Sequence, residues 1–573
     1  MNVIGLIGFI NEFNIVKVEI QSILTIISIR LFASFYSHVL FFILLTYFIP
    51  LETRLLWQPD EIRYAEISRE MLVSGNWSVP YMLDIRYFEK PVLGYWLNSI
   101  AQWLFGGGNF SVRIVVVTST LLTGLFVYRA AMLVWHNRNL AFNALVVFLS
   151  SFLVLAIGTY NILDPIVTMF VTIAMYYFLS GLSAQNRKSK ISAYLLVGVF
   201  CGLGFLTKGF IAVVLPALVF VVTAISLSRF KEVLCYAPIA LISMLIIAGP
   251  WVISVALQAP DYWHYFFWIE HVQRFVEKGT ARSQPMWFYL PIIILGILPW
   301  LGFLFGAIKS AILLKKGTLY FSFWLFLFFA FFSASSGKLL TYMLPCFVPL
   351  SILIAHYIEE LRNKQNEKIH NINAIINTLF GLVGVSIIVY SLFSTRFTLY
   401  ETNEQYKVLL GIAGFLCWSV MGVASFFKPT RLLTLFCSIG LSLVIGYAVP
   451  HKVESKSTPE KAINHYYSEL ANKPYILTDE VGIGTSLAWG LKRTDIRLTE
   501  TKGELAYGLA YPDVQNKYYD LKQLVNLIEE NNYQGIAIIL VRPERKEILS
   551  IISQLKVKPI VEKQGDLTFV FFN

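Results

Sequence analysis

Long apolar runs separated by short polar stretches fill the chain from about residue 31 to about residue 450, and there the pattern stops. A helix that crosses a bilayer needs about 20 predominantly apolar residues. On that measure the pattern predicts about thirteen spans. They fall near Leu31–Pro50, Val112–Val134, Leu140–Ile157, Ile162–Leu182, Ile191–Leu206, Phe210–Leu227 and Val233–Leu257. The rest fall near Met286–Ile308, Leu319–Ser333, Leu339–Ile358, Ile372–Phe393, Val408–Phe427 and Leu432–Val449.

The loops between these spans divide by charge. One alternate set is short and basic: Arg138; Arg187, Lys188 and Lys190; Arg229 and Lys231; Lys309, Lys315 and Lys316; Arg362, Lys364 and Lys368; Lys428 and Arg431. Excess Lys and Arg mark the cytoplasmic side. The N-terminus, with Lys17 and Arg30, shares that side, and an odd number of spans sends the C-terminus outside. The other set holds the long segment Leu51–Asn109, the turns Thr159-Tyr160-Asn161 and Thr207-Lys208-Gly209, the segment Gln258–Gln284, the turn Ser335-Ser336-Gly337-Lys338 and the tail. Asp60, Glu61, Glu89, Lys90, Asp164, Lys208, His271 and Lys338 therefore face one side, from five loops.

Beyond Pro450 the composition shifts toward charge, which separates a membrane domain (residues 1–450, first outside loop about 51–110) from a C-terminal domain (451–573). Gly535–Val541 reads as a buried strand, Glu544–Leu555 as a helix, and Lys558–Val561 and Thr568–Phe572 as two more strands, which predicts a small α/β domain. The whole is a polytopic α-helical membrane protein carrying a small α/β domain.

Composition agrees. The chain is 56% hydrophobic and 14% charged, where a soluble domain is about 25% charged. The net charge of +11 lies in short inter-span loops, which is the footprint of membrane orientation and not of nucleic-acid binding. The five cysteines lie in or beside apolar runs without metal-like spacing and read as small core residues. Asn11, Glu12, Lys17 and Glu19 break any secretory h-region, so the first span is expected to act as an uncleaved anchor.

Carboxylates beside hydrocarbon are costly and mark functional sites by default. Asp60 and Glu61 follow Pro59 at a helix start, with Ile62, Ala65, Ile67 and Met71 as a stripe expected to face the membrane. They are either a helix cap with a first-turn carboxylate or an acidic pair at a lipid-level cleft. Asp164, before Pro165, suits a helix N-cap, a site, or both. Lys90, Lys208 and Lys338 are either snorkelling lysines or point-charge partners for a phosphate. Together with the acidic sites they suit an anionic lipid headgroup. Glu89 with His271 is a candidate pair for a divalent metal, zinc or magnesium.

The stretches WQPDEIRYAEISREM, RYFEKPVLGYW, NILDP, LTKG, RSQPMWFYLP and SSGKLLTYMLP resemble the C-type glycosyltransferases of the protein mannosyltransferase superfamily. The tail segments LAWGLKRTDIRL and KGELAYGLAYPD narrow the resemblance to the bacterial aminoarabinose lipid A transferases. That resemblance implies a monomeric inner-membrane enzyme with thirteen spans, a first loop of membrane-lying helices and a C-terminal periplasmic domain. It implies an undecaprenyl phosphate-linked aminoarabinose donor, a lipid A phosphate acceptor and resistance to polymyxin. It places the catalytic carboxylates on Asp60 and Asp164, substrate contacts on Tyr87, Lys90, Lys208, Tyr342 and Arg274 or Arg282, and a metal on Glu89 and His271; Glu61 and Lys338, singled out by position and charge, are expected to join the substrate contacts. Another sugar, such as galactosamine, on the same reaction is one alternative. A polyprenyl-lipid transporter is the other, although a transporter places its charges at mid-membrane on broken helices.

Overall fold

The computed structural model describes residues 37–273, 283–314, 317–541 and 546–572. Every predicted apolar run carries helix within those bounds. Seven are single long apolar helices: Asn109–Trp135, Leu163–Ser183, Arg187–Lys208, Phe230–Gln258, Leu340–Asn363, Lys368–Phe393 and Gln405–Ala424. Two more belong to bent pairs, Arg138–Ser150 with Phe152–Gly158 at 61° and Leu433–Ala448 with His451–Ser457 at 73°. The remaining runs are carried by shorter apolar helices, Ser37–Thr53, Ile211–Ser226, Leu319–Ala334 and the broken Met286–Gly296 and Leu301–Ile312. By length and composition, up to nine spans among the described residues cross unaided. The shortfall against thirteen apolar runs comes from three helices that are short among the described residues and from one run that is broken. Pro299 stands at that break, while Ser151, extended between two helices, bends a run that still counts as one span.

Close helix approach sets the packing. In lipid there is little hydrophobic gain in bringing helices together, so small residues at the contact matter. A Cβ on Gly198 would lie 1.9 Å from the Ala240 carbonyl oxygen, so helix Arg187–Lys208 can rest on Phe230–Gln258 only with glycine there. Gly381 plays the same part against Phe415 and Ser419 of helix Gln405–Ala424. A cavity of about 610 Å³ lies among Asn143, Trp300, Arg362, His370 and Thr434 and includes none of the candidate site residues.

The first long loop is not a loose connection. It carries helix Asp60–Ser74, a hairpin of β1 (Tyr81–Met82) and β2 (Ile85–Arg86), and helix Leu93–Phe105. Helix Asp60–Ser74 is buried on nearly all sides, charged residues included. Its stripe of Ile62, Ala65, Ile67 and Met71 does not face the membrane. Ile62 and Ala65 pack with Val112 and with Trp489 of the C-terminal domain, and Ile67 and Met71 with Val79 and Met82. The lipid-level apolar surface belongs to helix Leu93–Phe105, where Trp103, Leu104 and Phe105 are exposed.

One buried carboxylate joins these parts. Glu61 is fully buried. Arg113 meets both its oxygens at 2.8 and 3.0 Å, and Arg54 meets both at 2.8 and 3.1 Å. The backbone N–H groups of Trp57 and Asn161 add bonds of 2.9 and 3.1 Å. Arg113 also donates to the carbonyls of Leu51, Arg54 and Leu55, which the end of helix Pro50–Thr53 leaves open. Burial alone would raise the Glu61 carboxyl, but Arg113 and Arg54 override it and hold it down to about 2.

The C-terminal domain is a mixed sheet with strand order β5-β4-β3-β6-β8-β7. Its strands are β3 (Tyr475–Thr478), β4 (Arg497–Thr499), β5 (Tyr518–Tyr519), β6 (Ile536–Leu540), β7 (Ile560–Gln564) and β8 (Leu567–Phe572). β3 to β6 pair in parallel, while β8 runs antiparallel to both β6 and β7. Helix Val481–Leu491 crosses from β3 to β4, and helix Leu521–Glu530 opens on an Asp520/Gln523 capping box with bonds of 2.8 and 2.9 Å.

Removing one partner of a buried ion pair leaves an unpaired charge and costs about 3–5 kcal/mol. Glu61→Gln, which strands two guanidiniums, is expected to lower the thermal unfolding temperature of the solubilised protein sharply and to reduce the folded yield. An unchanged unfolding temperature would show that the two arginines find other partners.

Candidate active site

The loops predicted to share a side converge on one end of the helical bundle, under the C-terminal domain. Their charged side chains form a connected row. At one end, Lys208 closes helix Arg187–Lys208. Its ammonium lies 2.6 Å from the Asp164 carboxylate and 4.7 Å over the ring of Tyr342. Asp164 sits inside the first turn of helix Leu163–Ser183, where Ile162 is the N-cap, so its carboxylate is not a cap and goes to the lysine instead.

Lys90 stands next in the row. Its ammonium lies 2.9 Å from Glu270 and 3.9 Å from Glu89, and it also donates to the Glu89 carbonyl at 2.8 Å. Burial would lower this ammonium, but Glu270 and Glu89 outweigh it and hold it above an ordinary lysine, with Tyr342 close enough to add to the effect.

At the far end, Arg63 is shared. It donates to Asp60 at 3.1 Å, to Glu504 at 2.7 Å and to the Tyr87 hydroxyl at 3.3 Å. The Tyr87 hydroxyl in turn donates to Glu89 at 3.1 Å, which links the arginine to the lysine end. Asp60 is the first residue of its helix after the Pro59 cap, and its side chain makes no capping bond. Burial pushes the Glu504 carboxyl up to about 7, against the pull of Arg63 and with help from Glu89 and Asp60.

Other expected contacts fall elsewhere. Glu61 has no exposed surface and no unused oxygen, so it belongs to the frame of the site and not to its lining. Lys338 is 4% exposed, and its ammonium is spent on the carbonyls of Gln284 and Ser335. It fastens the Ser283–Gly337 bridge between two loops. Arg274 and Arg282 lie outside the described residues, as does the side chain of His271. The expected metal pair is thereby reduced to Glu89. Among the described residues no group of three or more His, Cys, Asp or Glu side chains could hold an ion. Glu89 and Glu270 both face the Lys90 ammonium, at 3.9 and 2.9 Å.

Sequence reasoning missed Arg63, Glu270 and Glu504. Arg63 and Glu270 each adjoin a residue that was singled out, and helical spacing of three from Asp60 was a usable signal for Arg63. Glu504 lies 441 residues from its partner. Its signal was the KGELAYGLAYPD stretch, which turns out to be a clasp. Tyr507 and Tyr511 donate to the Asp261 carboxylate, the former at 2.7 Å. Asp513 pairs with Arg86 at 2.8 Å, and the Arg86 guanidinium lies 4.2 Å over the Tyr511 ring. Gly508 passes so near that a Cβ would meet the Arg86 carbonyl at 2.3 Å.

Known proteins give the same picture. Residues 32–266, with Asp60, Lys90, Asp164 and Lys208, match the family described as dolichyl-phosphate-mannose-protein mannosyltransferase. Residues 453–571, with Glu504, match the arabinosyl transferase ArnT, C-terminal domain. A relative from Proteus mirabilis, named undecaprenyl phosphate-alpha-4-amino-4-deoxy-L-arabinose arabinosyl transferase 1, is 74% identical over 94% of this chain and 98% of its own length. A Photorhabdus laumondii relative of the same name without the numeral is 43% identical over 87% of this chain and 91% of its own. The solved structure of ArnT from Cupriavidus metallidurans bound to undecaprenyl phosphate shares the fold, with a TM-score of 0.76 at 22% identity over 93% of this chain and 98% of that one. A helical bundle with a row of paired charges at one end and this particular domain over it thus stand in one chain, and that chain belongs to the undecaprenyl phosphate-aminoarabinose arabinosyl transferases.

Proposed function

We propose that this protein transfers 4-amino-4-deoxy-L-arabinose from undecaprenyl phosphate to a phosphate of lipid A, at the periplasmic face of the bacterial inner membrane, and so confers resistance to polymyxin and other cationic peptides. The observation that carries this reading is the row Asp164, Lys208, Tyr342, Lys90, Tyr87, Arg63 and Asp60 at one end of the spans. Both substrates are lipids with charged heads, and a row at a span end meets such heads without drawing them into hydrocarbon. The short basic loops support the periplasmic assignment. We take the protein to act as a monomer.

Glycosyl transfer of this kind passes through an oxocarbenium-like state. The bond from the sugar's anomeric carbon to the carrier phosphate breaks, and its electron pair leaves on the undecaprenyl phosphate oxygen. An oxygen of the acceptor phosphate closes the new bond from the opposite face, with inversion. Lys90 and Lys208 are placed to hold the leaving phosphate, since preorganised cations act most strongly where charge develops. Their carboxylate partners hold them aligned until a phosphate competes for them.

Asp60 does not need to be a strong base. A phosphate monoester has a second pKa of about 6 and is largely ionised at neutral pH. Held by Arg63 at 3.1 Å, Asp60 instead orients the acceptor and offsets positive charge on the sugar. A cation bridging Glu89 and His271 would compete with the Lys90 ammonium for the same carboxylate, so the charge on the leaving group is assigned to lysine.

Lipid A from cells expressing the protein is expected to gain an aminopentose by mass spectrometry, and cells carrying Asp60→Asn or Lys90→Ala, with normal protein levels, are expected to lose it. An added hexosamine would redirect the reading to another sugar, and unchanged lipid A would favour a transporter. Transfer by purified protein is expected to survive exhaustive chelation. Activity lost to chelator and restored by zinc or magnesium would return the leaving-group charge to a metal.

A further inference from the structure

The cavity of about 610 Å³ takes no part in the catalytic row. It lies at the other end of the bundle, where three of the six short basic loops converge on it: the loop of Arg138, the loop of Arg362, Lys364 and Lys368, and the loop after helix Gln405–Ala424. Ligand sites usually measure about 300–1,000 Å³. The bend at Ser151 and the break at Pro299 meet beside its floor. Trp300 donates its indole N–H to Ser150 Oγ at 2.8 Å, and the Phe152 N–H donates to the Leu298 carbonyl at 2.8 Å. Irregular backbone at membrane depth is tolerated only where it is buried in protein or lines a cavity.

The lining is graded from mouth to floor. Val147, Trp300, Phe303 and Leu361 are buried. Val147 stands nine residues past Arg138, about 13 Å inward at 1.5 Å per residue. Two polar groups at depth are engaged: Asn373 accepts from the Gly302 N–H at 2.9 Å, and Ser425 donates to the Gly422 carbonyl at 2.7 Å. The mouth is polar. Glu367 and His370 stand there, with the His370 ring edge-on to Phe303 at 5.1 Å. The Arg362 side chain is 61% exposed and meets Glu359 only at 3.5 Å. A surface pair of that kind is worth little, so the guanidinium is open to a better anion. A cation at the cytoplasmic surface over an apolar shaft suits an amphiphile with an anionic head, and basic pockets between spans on this side take such heads. We infer that this cavity binds an anionic phospholipid of the cytoplasmic leaflet, with its phosphate on Arg362 and one acyl chain against Trp300, Phe303 and Val147. The site is separate from the transfer chemistry and does not depend on the function proposed above.

Binding is measured by native mass spectrometry on the full-length protein, purified in detergent and stripped of lipid, with phosphatidylglycerol and with phosphatidylcholine. Wild type is expected to bind phosphatidylglycerol about 10-fold tighter or more, the scale of one hydrogen bond to a charged group. Arg362→Gln and Gln365→Glu, both at exposed positions of the mouth, are expected to lose most of that preference. Val147→Phe fills the floor and is expected to displace the lipid. Lys90→Ala is expected to keep the preference, which separates the cavity from lipid phosphate held in the catalytic row. Equal binding of the two lipids by wild type, or binding of neither, overturns the inference, whether or not any variant folds. So does a preference that Lys90→Ala removes and Arg362→Gln leaves, or one that a folded Val147→Phe protein retains. Displacement of phosphatidylglycerol by inorganic phosphate would give the mouth to a soluble anion and overturn the lipid assignment.

Discussion

The Glu61 carboxylate, buried between the guanidiniums of Arg54 and Arg113, sets the position of the other groups at the reactive end. Taking such ions out of water costs several kcal/mol each, and only tight mutual bonding offsets that cost. Here the bonding is complete: each arginine meets both carboxylate oxygens, and Arg113 spends its remaining donors on open helix carbonyls. Glu61 lies in the first turn of helix Asp60–Ser74, so fixing it fixes the rotation of that helix, and with it the directions of Asp60 and Arg63. The Asn161 N–H bond to the same carboxylate holds the turn just before Asp164. Both acids singled out for function thus take their places from a third that no substrate touches.

Around that frame the site solves a cost problem. Lone ammonium or carboxylate groups at lipid level are expensive, and each cation here has a carboxylate partner from a distant part of the chain. Lys208 leans on Asp164, Lys90 on Glu270 and Arg63 on Asp60 and Glu504. Such pairs offset the cost of holding the cations away from water.

Much of this was legible in the sequence, and the parts that were not share a cause. Apolar run length located the helices, because that signal is local and strong. Loop charge placed Asp60, Lys90, Asp164 and Lys208 on one side, and they do meet there. The errors came where local pattern was ambiguous between two apolar surroundings. Ile62, Ala65, Ile67 and Met71 form a stripe that suits lipid or protein equally, and the domain covering it, through Trp489, is more than 400 residues away. Glu61 and Asp60 are adjacent acids with opposite fates, one saturated by arginines and one open, and only Arg113 in the next long helix decides between them. Lys338 reads as a phosphate lysine by composition and is spent on two backbone carbonyls.

The C-terminal domain therefore does more than cover the site. Its contacts reach two of the loops: Gln58 donates to the Lys456 carbonyl at 2.7 Å and Lys517 meets Asp84 at 3.0 Å in the first, and the tyrosine clasp closes on Asp261 after helix Phe230–Gln258. A surface fixed at so many points holds Glu504 to a definite place beside Arg63, on an element that belongs to the domain and not to the spans. The loops between the spans contribute Lys90 and Lys208, and the domain contributes Glu504. Charges on the two parts meet across Arg63 and Glu504 and across Arg86 and Asp513.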